Sequence, residues 1–149
     1  TFVGQNFGAG KPDRIKKGIA EVIAMETVLA VITGLIVVNA APVLLSLFTT
    51  SKSVIAIGRL ISHDIAPFYW TFICSEILSS ALRAENYVMV TTVTNLLGIC
   101  LFRIIWVHFV ASSGIVSLLY CYPISYVITS TLVLLYFLYR QPKISKKLR

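Results

Sequence analysis

Few side chains in this sequence are equipped for chemistry, and those that are stand as ionisable groups in apolar surroundings. Glu26, Asp64, Glu76 and Arg103 interrupt runs of aliphatic and aromatic residues. A charge so placed is costly in a bilayer and is a functional hypothesis by default. At about 1.5 Å of rise per residue, Glu76 lies roughly 10 Å from the basic break at Arg83, and Glu26 roughly 10 Å into its own run from Ile19. Two carboxyls at one depth can share a proton or hold a cation, since like charges raise one of the two pKa values. They can equally face different sides of a bundle. Glu76 reads either as a protonated, hydrogen-bonded helix contact or as a carboxyl that couples transport to protons or sodium. Arg103 falls about 24 Å from the basic end, level with Asp64, which makes Asp64 or nearby carbonyls its expected partner. Glu26 and Asn95 read as packing residues.

Other chemistries lack their residues. Cys74, Cys100 and Cys121 all sit inside apolar runs, and no two are spaced as a zinc site or a redox pair. His63 and His108 are far from any cysteine, so no metal constellation assembles. No nucleophile, base and orienting residue converge, and Gly4, Gly8 and Gly10 match neither the P-loop nor the dinucleotide pattern. An enzyme is therefore the least expected class, and no cofactor is expected. The net charge of +7 invites a polyanion partner. The cations crowd the two ends of the chain, however, with no alternation of aromatic and basic residues, so nucleic acid is not expected to bind.

The elements that must position these groups are legible from hydropathy. The chain is 57% apolar and only 13% charged over 149 residues, with a mean hydropathy of +0.85; soluble domains carry about 25% charged residues. Four apolar segments, each able to supply a span of about 20 residues, take up most of the length. The first runs from Ile19 to about Phe48 and contains Pro42. Thr49 to Ser53 is a polar turn. The second runs from Val54 to Leu82, with Pro67 within it, and Arg83 to Tyr87 breaks the chain again. The third covers Val88 to Val110, Ala111 to Gly114 turns, and the fourth covers Ile115 to Tyr139. Pro67 and Pro123 are expected to mark bends or unwound turns; such breaks expose carbonyls where spans line a cavity, though most are only kinks. Residues 1–18 are expected to be the end of a preceding helix and a basic loop, 19–139 the four spans, and 140–149 a basic tail. Nothing resembles a signal peptide, and an opening on Thr1 with a helix end suggests a piece of a longer protein.

Four spans put Lys11, Arg14, Lys16, Lys17, Arg83, Arg140, Lys143, Lys146, Lys147 and Arg149 on one side, and Lys52 with Arg59 towards the other. The positive-inside rule makes the first side, with the C-terminus, cytoplasmic. Tyr136 and Tyr139 are placed as an interfacial belt.

The opening FVGQNFGAGKPDRIKK resembles a segment of the multidrug and toxic compound extrusion transporters, carried here by Gly4, Gln5, Asn6, Gly8, Ala9 and Gly10 and the cations that follow. Ser80-Ala81-Leu82-Arg83-Ala84-Glu85-Asn86 resembles a second signature of that family, usually Gly-Ala-Leu-Arg-Gly-x-Gly. Ser80, Ala84 and Asn86 replace glycines; Asn tolerates a left-handed turn, and Ala does so only at a cost. Leu97 to Trp106, with Arg103, and Tyr122-Pro123-Ile124-Ser125 are similar to a bacterial branch. The resemblance implies an all-α integral membrane protein, its four transmembrane helices forming part of a six-helix transporter lobe. A first lobe and two further helices of the second lobe would be its partners, besides the lipid bilayer. It implies an antiporter of the cell inner (plasma) membrane, multi-pass. Such a protein exports small amphipathic or cationic compounds by alternating access in exchange for H+ or Na+. On this resemblance Glu76 is the ion-coupling carboxyl, and Tyr69, Phe72 and Asn95 line the cavity. Gly4, Gln5, Gly8, Ala9, Gly10, Leu82, Arg83, Arg103 and Pro123 are structural signature positions. A lipid-linked sugar flippase and a non-transporting membrane remnant are the alternatives.

Overall fold

The computed structural model describes residues 1–148, with the side chains of 113 and 143–148 outside the description. The expected tail cations Lys143, Lys146, Lys147 and Arg149 therefore lie outside the described side chains. Among the described residues, eight α-helices follow one another: α1 (Phe2–Gly8), α2 (Pro12–Ser46), α3 (Lys52–Ile65), α4 (Tyr69–Ala84), α5 (Val88–Asn95), α6 (Phe102–Val110), α7 (Ile115–Leu119) and α8 (Cys121–Leu148). A 3-10 turn at Ala66–Phe68 joins α3 to α4, and a π turn at Leu96–Leu101 joins α5 to α6. Among the described residues, four helical stretches are long and apolar enough to cross a membrane: Pro12–Ser46, Lys52–Ala84, Val88–Val110 and Ile115–Pro142. The chain is an all-α membrane protein. Met25, Val28, Leu29, Ile32 and Leu35 are each at least half exposed along α2, a surface that suits lipid and not water.

Two boundaries differ from expectation. The basic stretch expected to be a loop up to Gly18 is helical from Pro12 onward. Proline at the first helical position is pre-set for the helix, and Asp13 in the first turn suits the positive end of the helix dipole. Ile15 and Ile19, 1% and 6% exposed, extend the packed face of α2 into that stretch. At the other end, α8 does not stop at Tyr139 but continues to Leu148. Arg140 and Gln141 both find partners on the α4–α5 turn, as described below. Pro67 falls in the 3-10 turn, where its missing N–H removes a helical hydrogen bond. Pro123 stands in the first turn of α8, just after a break at Tyr120. Pro42 is carried inside α2.

The two turns at the basic end share one geometry. After α1, Lys11 N–H bonds to Asn6 carbonyl at 2.9 Å and Gly10 N–H to Phe7 carbonyl at 3.1 Å, with Gly10 at φ 65°. After α4, Tyr87 N–H bonds to Leu82 carbonyl at 2.9 Å and Asn86 N–H to Arg83 carbonyl at 3.1 Å, with Asn86 at φ 70°. Both are Schellman closures, which need a left-handed residue just past the helix. The demand falls on Asn86, which tolerates it, and spares Ala84, which stays helical.

The core gathers Ile15 and Ile19 of α2, Leu78, Ala81 and Leu82 of α4, and Val133 and Phe137 of α8. Where α6 approaches α8, the π turn sets Gly98 against Thr129: a Cβ at 98 would overlap the Thr129 hydroxyl and stand 3.4 Å from its Cα. Threonine is stiff at χ1, so the helix itself would have to shift. Gly98→Ala is expected to destabilise by about 1–3 kcal/mol. Gly8→Ala, with nothing within 4 Å of its Cβ, should be neutral or slightly stabilising. Thermal unfolding in detergent measures both, and equal melting temperatures would refute the close approach at Gly98.

Candidate functional site: an acidic groove beside α4

Three turns of α4 carry Glu76, Ser80 and Arg83 on one stripe, as spacings of three and four residues require. Arg83 Nη2 stands 3.5 Å from Glu76 Oε2 and donates to Ser80 Oγ at 2.9 Å. From α5, Asn95 Nδ2 donates to Glu76 Oε1 at a long 3.5 Å. The Glu76 and Arg83 side chains remain 40% and 36% exposed. Such a pair is solvated enough to break and is worth about 1 kcal/mol or less.

Glu76 opens onto a groove of about 730 Å³ between α1, α2 and α4. Glu21 and Glu26 of α2 line the same groove, with Phe72 and Met25 as apolar wall. The two deep carboxyls that depth alone left ambiguous therefore share one face. Glu26 also lines a second groove, of about 460 Å³, between α2 and the α3–α4 joint, where Tyr69, Thr33 and Ser62 contribute. Glu26 thus stands at the junction of two cavities. Of the expected cavity residues, Phe72 lines the first groove and Tyr69 the second; Asn95 touches Glu76 from behind.

Arg103 does not meet Asp64. Asp64 lies 3.4 Å from His63 Nδ1 and lines a small pocket with Tyr120 and Pro123. Arg103 instead donates from Nε to Ser125 Oγ at 3.1 Å, and its guanidinium lies 4.4 Å from the Tyr122 ring centroid and 5.3 Å from that of Tyr126. Tyr126 packs in turn on Phe72 at 4.9 Å and Tyr69 at 5.8 Å. Cation–π contact and one hydroxyl replace the expected carboxylate. Sequence reasoning did not give Tyr122, Tyr126 and Ser125 a role; the signal available was two tyrosines four apart on a span facing a span that carries an arginine. Of the opening signature, a Cβ at position 4 would stand 4.0 Å from Ala84 Cβ, an ordinary contact, Gly10 makes the turn, and a Cβ at position 8 would meet nothing within 4 Å. Gln5 and Ala9 are exposed, and it is Asn6 that is buried, donating to Phe2 carbonyl at 2.9 Å. Leu82 is core, 1% exposed.

One buried carboxyl escaped the sequence altogether. Glu85, in the turn after α4, is 2% exposed and accepts from Gln141 Nε2 at 3.5 Å. Arg140 lies over the Tyr87 ring, 4.2 Å from its centroid, and donates to its hydroxyl. Together these tie α8 to the α4–α5 turn. Nothing local distinguishes such a glutamate from a solvated turn residue.

The MatE family model matches residues 1–109, nearly three-quarters of the chain, from α1 to the end of α6. The chain belongs to the MatE family, whose members are membrane transporters and not enzymes. Neither curated proteins nor solved structures gave a match.

Burial pushes the Glu85 carboxyl up from its ordinary 4.5, against smaller opposing effects of the Gln141 amide and of Arg140. A carboxyl with a raised folded pKa contributes its stability in the protonated form. That contribution is full below about pH 4.5 and is lost as pH rises through the folded value. Glu85→Gln, which keeps an acceptor for Gln141, should therefore melt higher than the parent at pH 7 and converge with it at the acid end. Melting curves across that range test this, and a constant difference would refute it.

Proposed function

We propose that this chain forms part of a cation-coupled exporter of organic cations and other amphipathic compounds, working by alternating access in exchange for H+ or Na+. The observation that carries the proposal is the Glu76 carboxylate, held by Arg83 and Asn95 at the edge of a groove shared with Glu26. The groove is apolar along its walls and acidic at its polar points, the complement of a cation with an apolar body. Lipid-linked sugar diphosphates would call for a cationic lining. Arg103 is committed to Ser125 and two tyrosines, and none of the described residues lining the groove has a basic side chain, so the flippase reading is disfavoured.

In this scheme Glu76 exchanges partners. With the groove empty, its charge is met by Arg83 and Asn95. A cation reaching Glu76 displaces Arg83, which keeps its hydrogen bond to Ser80. A proton arriving on Glu76 releases either partner, because a neutral carboxyl holds neither strongly. Binding of cargo and of the coupling ion are then mutually exclusive at one side chain, the minimum that exchange requires. Glu26 offers the next carboxyl along the path, where the two grooves meet. Phe72 and Tyr69, which line the two cavities, supply aromatic rings of the kind that make cation–π contact. The charge bias between the ends of the spans supports a plasma-membrane protein with the basic end, including the C-terminus, in the cytoplasm.

Glu76→Gln should abolish proton- or sodium-driven efflux while leaving the amount of protein in the membrane unchanged. Efflux from loaded cells or vesicles, with immunoblotting of the membrane fraction, reads both. Efflux at the parent rate would remove Glu76 from the coupling role.

A further inference from the structure

Across α2 from the acidic groove lies an apolar one of about 450 Å³, bounded by α2, α4 and α8. Its floor includes the buried side chains of Ile19, Leu78 and Phe137, and half-exposed Trp70 and Leu134 stand at its rim. Among the described residues, Lys16 is the one charged residue that lines it, at the basic end of the bundle. Along α4 the groove runs from Trp70 to Leu78, about 12 Å at 1.5 Å per residue. One leaflet of hydrocarbon is about 15 Å thick, half of a bilayer core. The groove therefore spans most of one leaflet, beginning where that leaflet meets its headgroups.

The two adjacent lysines have different surroundings. Lys17 lies 3.9 Å from Glu21, which lines the acidic groove on the opposite face of α2. Lys16 belongs to the apolar groove and is exposed at its mouth. An ammonium at the polar boundary, above an apolar trough of leaflet length, is complementary to one chemistry. We propose that this groove is a binding site for an anionic phospholipid, one acyl chain lying between α2, α4 and α8 and the phosphate resting on Lys16. The bound lipid would cover the side chains of Ile19, Leu78 and Phe137 at the floor of the groove. The site does not depend on the transport scheme, which uses the other face of α2.

Titration of the purified protein in neutral detergent with phosphatidylglycerol or phosphatidylcholine, followed by melting temperature and by native mass spectrometry, tests the site. Phosphatidylglycerol should raise the melting temperature saturably and remain as one retained lipid, with phosphatidylcholine much weaker and inorganic phosphate without effect. Lys16→Gln should weaken the apparent affinity for phosphatidylglycerol by roughly fivefold, as expected for one basic residue at an anionic headgroup. Lys16→Arg should retain it, and Lys17→Gln should leave it unchanged. Leu134→Trp, which fills the groove, should remove the retained lipid without lowering the melting point of the lipid-free protein. Equal effects of the two lipids, or equal losses in Lys16→Gln and Lys17→Gln, would overturn the site. So would stabilisation by free phosphate. Pairing of copies through a Leu134→Cys crosslink in lipid would show that a second chain occupies the groove.

Discussion

Helix α4 meets α8 in the core through Leu78, Ala81, Leu82, Val133 and Phe137, and both helices bury small hydroxyl side chains beside it. Ser75 and Ser79 on α4, and Ser125 and Thr129 on α8, are all at most 1% exposed. In a bilayer the helices gain no hydrophobic stabilisation from leaving lipid for each other, so close packing and interhelical polar contacts must hold them together. This contact fixes the rotation of α4 about its own axis. With Ser75, Ser79 and Leu82 turned inward, Glu76, Ser80 and Arg83 are turned out of the contact and towards the acidic groove. Arg103 reaches α8 at Ser125, whose buried hydroxyl accepts from the guanidinium.

Much of this was legible in the sequence, because it depends on quantities that accumulate along one helix. Length and apolarity gave the four spans, and rise per residue gave the depths of Glu26 and Glu76. What the sequence withheld is rotation about the helix axis and the packing between helices. Arg103 and Asp64 are level in depth yet never meet. The π turn at Leu96–Leu101 adds a residue to the helix and turns everything after it by about 100°, carrying Arg103 towards Tyr122 and Tyr126. Glu85 is hidden for a similar reason. The Schellman closure at Asn86 brings the turn beneath the last turns of α8, and Gln141 and Arg140 are more than fifty residues away in sequence. The basic opening read as a loop because its charges are dense, whereas Pro12 and the packed pair Ile15 and Ile19 make it helix.

In the proposed scheme Glu76 is the point at which the fold becomes chemistry. Its charge is balanced by groups of only modest hold: a half-exposed arginine on its own helix and a long hydrogen bond from Asn95. A fully buried, tightly satisfied carboxylate would be structural and inert. A carboxylate with no partner would be expensive at this depth. The arrangement seen lies between these, and in the proposed exchange that balance would let a cation or a proton compete with Arg83 for the same oxygens.

The most direct test of that competition is the affinity for a fluorescent organic cation in the parent and in Arg83→Gln, measured at a pH where Glu76 is ionised. If Arg83 and cargo contend for Glu76, removing the guanidinium should tighten cation binding by up to about fivefold, the worth of a half-exposed ion pair. Unchanged or weaker binding in Arg83→Gln would contradict the exchange of partners at Glu76.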